Sequence, residues 1–231
     1  MNRIDFHIHT VGTASDSSGF EFDVEVLKDY VERAHLAAVA ITNHNGFYRD
    51  NYDRVSKTLD IAVFPGAEVN VTKLSGFGHV IIVADPSDID DFASGMATLA
   101  DECPGKDDHV SWDRVVELFP KISDWLIIPH YKKSKKLDSA TLSHIQSTTG
   151  YDALEVTNAK KWLVERDEAD APLVVFSDCR PGLRMPDEDP DDNIRRYAYG
   201  YTYLQCSEMS FSSVKAAFAN ANNVEIFPTD R

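Results

Sequence analysis

The chain is short of cysteine, of long apolar runs and of positive charge. Three cysteines, Cys103, Cys179 and Cys206, stand among 231 residues. So small and odd a number excludes a disulfide framework and fits a reducing compartment. The longest apolar runs, such as 37–41, 80–84 and 126–129, are far too short to span a bilayer. The opening MNRIDFHIHT lacks the apolar stretch of a signal peptide. A soluble, cytoplasmic protein with no membrane partner is expected. Lysine and arginine total 23 against 38 aspartates and glutamates, a formal charge of −15. That balance disfavours a strong general attraction to nucleic acid, although bound metal ions invert the local field. Most of the acidic excess reads as a solubilising surface. Carboxylates are also what a metal site needs.

The chain is long enough to bury a core without staples, and one domain over 1–231 is expected. Short apolar runs alternate with amphipathic segments. Residues 3–9 read as a strand. Val24, Leu27, Tyr30, Val31 and Ala34 form a helical stripe within 22–36, and AAVAIT at 37–42 reads as a buried strand. This βαβ unit implies a parallel sheet. Further strands are predicted at 61–64, 79–84, 125–129, 153–157, 172–177 and 199–205. Helices are predicted at 50–58, 87–101, 111–119, 138–147, 159–168 and 211–221. Such a series suggests an α/β fold of the (β/α) barrel type, with an open doubly wound sheet as the competitor. The Pro- and Asp-rich segment 181–196 reads as a loop.

Five of eight histidines fall at or beside these strands. His7 and His9 form H-x-H at the end of the first, where period-2 alternation sends both side chains to one face. His44, Glu68, His130 and Asp178 each follow a strand. A parallel barrel brings all strand ends to one face, so these six should converge there. His79 opens its strand and fits less neatly. Imidazole nitrogens with carboxylates suit Zn²⁺, Mn²⁺ or Fe²⁺. Glu68 or Asp178 could bridge two ions, an arrangement suited to phosphoryl displacement. His35, His109 and His144 lie in helices or a polar loop and are left out.

The ordered set DFHIHT (5–10), ITNHN (41–45), FPGAEVN (64–70), GHVIIV (78–83), IIPHYKK (127–133) and FSDCR (176–180) closely resembles the PHP (polymerase and histidinol phosphatase) family. The resemblance covers about residues 3–225. It implies a distorted seven-stranded (β/α)7 barrel with a two- or three-metal site for phosphoester hydrolysis. Carried over by motif, it implies one metal at His7, His9, Glu68 and Asp178, and a second at Glu68, His79 and His130 with Glu68 as the bridge. A third would need Asp16 or a neighbour, His44, and residue 180. Here residue 180 is Arg where the family usually has His, and Arg has no lone pair to offer a cation. Thr42-Asn43-His44 also departs from the usual T-D-H. Two divalent ions per chain are therefore expected, with Arg180 supplying positive charge toward phosphate oxygens. The alternative is a degenerate barrel acting as an interaction module.

In the implied mechanism a metal-activated water attacks phosphorus, and His44 is the candidate to protonate the leaving oxygen or to contact the substrate. Lys132, Lys133, Lys135 and Lys136 form a basic patch after His130. Lys132 and Lys133 are candidates for holding a polyanionic substrate. Glu155 and Asn158 sit at another strand end and are weaker candidates for supporting the ligands. Cys179, Trp112, Trp125 and the aromatics of 195–204 read as packing. The substrate is open between a small phosphomonoester, as in histidinol phosphatases, and a nucleic-acid diester. The C-terminal stretch resembles PHP domains associated with large ATPases of DNA repair and phage defence. That implies a nuclease role with an ATPase partner.

Overall fold

The computed structural model describes residues 1–13, 20–183 and 202–227. Asp16, most of the 181–196 loop and the segment 197–201 lie outside the described residues. The main sheet is built from β1 (Asn2–Ile8), β3 (Leu36–His44), β4 (Ala62–Thr72), β5 (Phe77–Val83), β6 (Leu126–Lys132), β7 (Leu154–Val156) and β8 (Leu173–Val174), joined in that order. β10 (Thr202–Leu204) and β11 (Val224–Glu225) extend it beyond β1. β2 (Glu21–Phe22) and β9 (Gly182–Leu183) form a small separate ribbon. A parallel bridge from Ile8 to Cys179, with His9 N donating to Cys179 O at 2.9 Å, brings the run after β8 back to β1. The sheet is thus a nearly closed barrel of the (β/α) type.

Helix α1 (Val24–Ala34) shows why the sequence pattern was readable. Its five apolar stripe residues are all buried. Asp23 caps its start by accepting from Glu25 N at 2.8 Å, and His35 ends it in the left-handed region at φ 51°. Among the described residues the other α-helices are α2 (Arg49–Thr58), α3 (Ile89–Glu102), α4 (Trp112–Leu118), α5 (Ser139–Thr148), α6 (Ala159–Glu165) and α7 (Phe211–Phe218). Trp112 and Trp125 are core residues, as expected. No helix among the described residues is long and apolar enough to cross a membrane.

One expectation needs correction. The barrel is not wholly parallel, because β5 runs antiparallel to both β4 and β6. Four residues separate β4 from β5, and Lys73 N donates to Gly76 O at 3.0 Å across that turn. So short a link can only make a hairpin, since a parallel return needs a crossover of a dozen residues or more. Reversal puts the first residues of β5 at the same barrel end as the last residues of its neighbours. His79 therefore joins the other histidines because it opens its strand. β4 is also longer than predicted and runs through Pro65 and Gly66. At Gly66 a Cβ would lie 2.8 Å from Ile82 O and 2.9 Å from Thr42 Cγ2, so only glycine lets β3 and β5 close on β4.

Candidate metal centre

β1 positions its ligands by breaking its own alternation. Ile4 and Phe6 face one core cluster, where Phe6 packs on Phe64, Phe176 and Phe218. Asp5 and Ile8 face α1, and Tyr30 Oη donates to Asp5 Oδ2 at 2.7 Å. Asp5 and Ile8 are three apart, so one residue is extra, and the β1–β3 register shifts between them. A bulge of this kind re-aims side chains beside a site. His7, inside the bulge, and His9, beyond it, both turn toward Glu68 and Asp178.

The other strands deliver their residues to the same place. Register sets His44 directly opposite Glu68 across β3 and β4. It sets His130 opposite Glu155 across β6 and β7. Asn45 N donates to Glu68 O at 2.9 Å just after His44, with Asn45 at φ 44°. Asp178 also lies at positive φ, 54°. Two of the non-glycine residues in this sparsely populated region thus flank the cluster.

His7, His9, His44, Glu68, His79, His130 and Glu155 are all buried, while the side chains of Asp178 and Arg180 are 32% and 23% exposed. The cluster opens to solvent on the Asp178–Arg180 side. His7 Nε2 lies 3.3 Å from Glu68 Oε2 and 3.4 Å from Asp178 Oδ1. His9 Nε2 lies 3.4 Å from Glu68 Oε2 and 3.3 Å from Asp178 Oδ1. Neither Nε2 makes an aligned hydrogen bond among the described residues. Spacings of this size are those between neighbouring ligands of one ion bound at about 2.0–2.1 Å, and His7, His9 and Asp178 form one close group. His7, Glu68 and His130 form a second close group, and His9, His44 and Glu68 a third.

Proton placement supports the same reading. His7 Nδ1 is 3.0 Å from both oxygens of Glu155, which leaves Nε2 to turn its lone pair on Glu68 and Asp178. His130 Nδ1 is 3.0 Å from Ser134 O, so its Nε2 lone pair faces Glu155 Oε2 at 2.9 Å and Glu68 Oε1 at 3.3 Å. A lone pair against a carboxylate oxygen requires positive charge between them. Without a metal a proton takes that part. Burial opposes charge on His7, yet Asp178, Glu155 and Glu68 push it up to about 10. Burial instead takes His9 down to about 4. Burial alone would raise Glu68, but His79, His7 and His44 hold it well below the usual carboxylate range. Asp178 and Glu155 are likewise held low against burial, with His7 and Lys133 their leading cationic neighbours. Buried imidazoles and carboxylates that are mutually unsatisfied fit a divalent cation.

Most of the expected residues converge, and a few go elsewhere. His79 Nδ1 bonds Glu68 Oε1 directly. Arg180 donates to Asp178 O at 2.9 Å and Asp178 Oδ1 at 3.0 Å. The lysine patch disperses. Lys133 enters the cluster, whereas Lys132 pairs with Glu165 of α6 at 3.1 Å and Lys135 lies 3.8 Å over the Phe77 ring. Asn158 caps α6 by accepting from Lys161 N at 3.0 Å. Asn43 Oδ1 accepts from Thr10 N at 2.8 Å and Val11 N at 2.9 Å, holding the chain just past His9. Burial pushes the Cys179 thiol well up, which suits a packing role. His109, excluded on sequence, stacks on Phe77, which in turn stacks on His79. The signal it had was only its turn toward β4, where Val110 O accepts from Thr72 N.

No protein-family model matches the chain, and no curated protein matches it. Solved structures do. A two-domain protein from Bacteroides vulgatus containing a PHP-like metal-dependent phosphoesterase superposes with a TM-score of 0.63 at 14% identity over 96% of this chain. The chain spans 63% of that protein's length. A metal-dependent phosphoesterase from Bifidobacterium adolescentis gives 0.52 at 14% identity, over 84% of this chain and 94% of that one. An amidohydrolase from Chromobacterium violaceum with bound sulfate gives 0.51 at 14%, over 80% and 89%. The chain has the barrel fold found in PHP-like metal-dependent phosphoesterases.

Proposed function

We propose that the protein is a metal-dependent phosphoesterase. The observation that carries this reading is the set of four 3.3–3.4 Å spacings between the imidazoles of His7 and His9 and the carboxylates of Glu68 and Asp178. Those four residues would hold one ion, and Glu68, His79 and His130 a second, with Glu68 shared. Bound there, the ions supply an acidified water nucleophile and Lewis-acid stabilisation of phosphoryl oxygens. The chain's own residues do the rest. Glu155 and Ser134 O fix the tautomers of His7 and His130, so that Nε2 of each faces inward. Arg180, on the open side, meets a non-bridging phosphoryl oxygen with its guanidinium. His44, beside Glu68 Oε2 at 3.0 Å, is placed to give a proton to the leaving oxygen.

A partly exposed guanidinium at the mouth favours a phosphoester over a neutral amide substrate. Between ester classes we propose a diester, in keeping with a nuclease role and an ATPase partner that supplies the basic surface this acidic chain lacks. The test compares bis- and mono-p-nitrophenyl phosphate, each with Mn²⁺ or Zn²⁺ and with chelator. Chelator-sensitive turnover, faster on the diester, is expected. Faster turnover of the monoester would assign a small-molecule phosphatase. No turnover of either ester in protein shown to be loaded with metal would favour the degenerate barrel.

A further inference from the structure

Lys133 does something other than wait for substrate. Its side chain is 8% exposed and its ammonium is already engaged. Nζ donates to Glu155 Oε1 at 2.7 Å and lies 3.0 Å from Asp178 Oδ2. It lies 3.1 Å from His7 Nδ1, which shares Glu155 as acceptor. Each carboxylate is therefore divided. One oxygen of Asp178 goes to Lys133, and the other faces His7 and His9. One oxygen of Glu155 goes to Lys133, and the other faces His130. Asp178 sits on a backbone at φ 54° and is partly exposed, so its side chain needs an anchor to present a single oxygen inward.

We infer that Lys133 is a resident counter-cation, a positioning residue that holds Asp178 and Glu155 in their ligand-presenting rotamers before any metal arrives. The inference rests on the metal-site reading above. Two physical consequences follow. Without the ammonium, buried Glu155 loses its closest fixed cation and Asp178 is left with Arg180, so the metal-free fold weakens. The ammonium also repels a divalent ion at the same carboxylates, so metal and Lys133 oppose each other, and that coupling is reciprocal.

The experiment is thermal melting and Mn²⁺ titration calorimetry of wild type, Lys133→Met and Lys133→Arg, each metal-free and Mn²⁺-loaded. Metal-free Lys133→Met should melt roughly 10 °C below wild type. Mn²⁺ should raise its melting temperature by more than it raises that of wild type, and its Mn²⁺ affinity should increase on the order of tenfold. Lys133→Arg, which keeps the charge, should recover most of the metal-free stability. Should metal-free Lys133→Met not fold, Lys133→Gln replaces it in the same comparison. An unchanged metal-free melting temperature would overturn the inference. So would a lowered one with no larger Mn²⁺ response, which marks ordinary packing, or an Arg variant as weak as the Met variant. Wild type that takes up no Mn²⁺ would defeat the metal-site reading itself. The metal-free melting temperatures would still decide whether Lys133 holds the two carboxylates.

Discussion

The two halves of the site are built differently. On the β1 side, His7 and His9 stand 3.3–3.4 Å from Glu68 and Asp178 without an aligned hydrogen bond at either Nε2. That half is held open by Glu155 behind His7, by Lys133 behind Asp178 and by the bulge in β1. On the β5–β6 side, His79 has closed onto Glu68 Oε1, and His130 lies within 2.9 Å of Glu155. The first half is preorganised, whereas the second must part its own contacts to take an ion. Preorganised ligands bind more tightly because less ordering remains to be done. The β1 half is therefore expected to load first and hold its ion harder.

The largest effect should come from the residue the halves share. Glu68→Gln keeps the shape but removes the charge between His7, His9, His44, His79 and His130, and should lower uptake at both positions. Hydrolysis should fall by on the order of 10³-fold or more, as when an electrostatic centre of catalysis is lost. Retained turnover at saturating metal would show that the halves do not share Glu68. Asp178→Ala separates them, because it touches only the β1 half and should cost one ion per chain while leaving the second site able to bind. His130→Gln is the converse, a loss of the weaker ion with the tighter one retained, read by titration calorimetry. Glu155→Gln should weaken metal binding by about 10–100-fold, since it unfixes His7 without removing a ligand. Gly66→Ala tests the wall between the halves. The added methyl meets Ile82 O and should cost roughly 2–3 kcal/mol of stability, measured by denaturant unfolding.

The barrel and most of the site were legible because strand ends carry the chemistry in such folds. His7, His9, His44, Glu68, His130 and Asp178 each stand at the end of a run whose apolar character marks a buried strand. The direction of β5 was not legible. A buried strand reads the same in either sense, and only the four-residue link to β4 reveals the hairpin. The dual role of Glu155 needed the pairing of β6 with β7, a contact between residues 25 apart in sequence. The lysine patch was misleading for a similar reason. Four lysines within five positions look alike in sequence, yet the register shift between His130 and Lys132 and the turn after β6 send them to different neighbours. Asp16 lies outside the described residues, so its expected part in a third site stays a proposal.

The most direct measurement is bound metal per chain, by elemental analysis of protein purified without chelator, beside Asp178→Ala. Two ions in the wild type and one in the variant are expected, the survivor being the more easily removed by chelator. Protein that holds no metal and takes up neither Mn²⁺ nor Zn²⁺ would contradict the proposed centre.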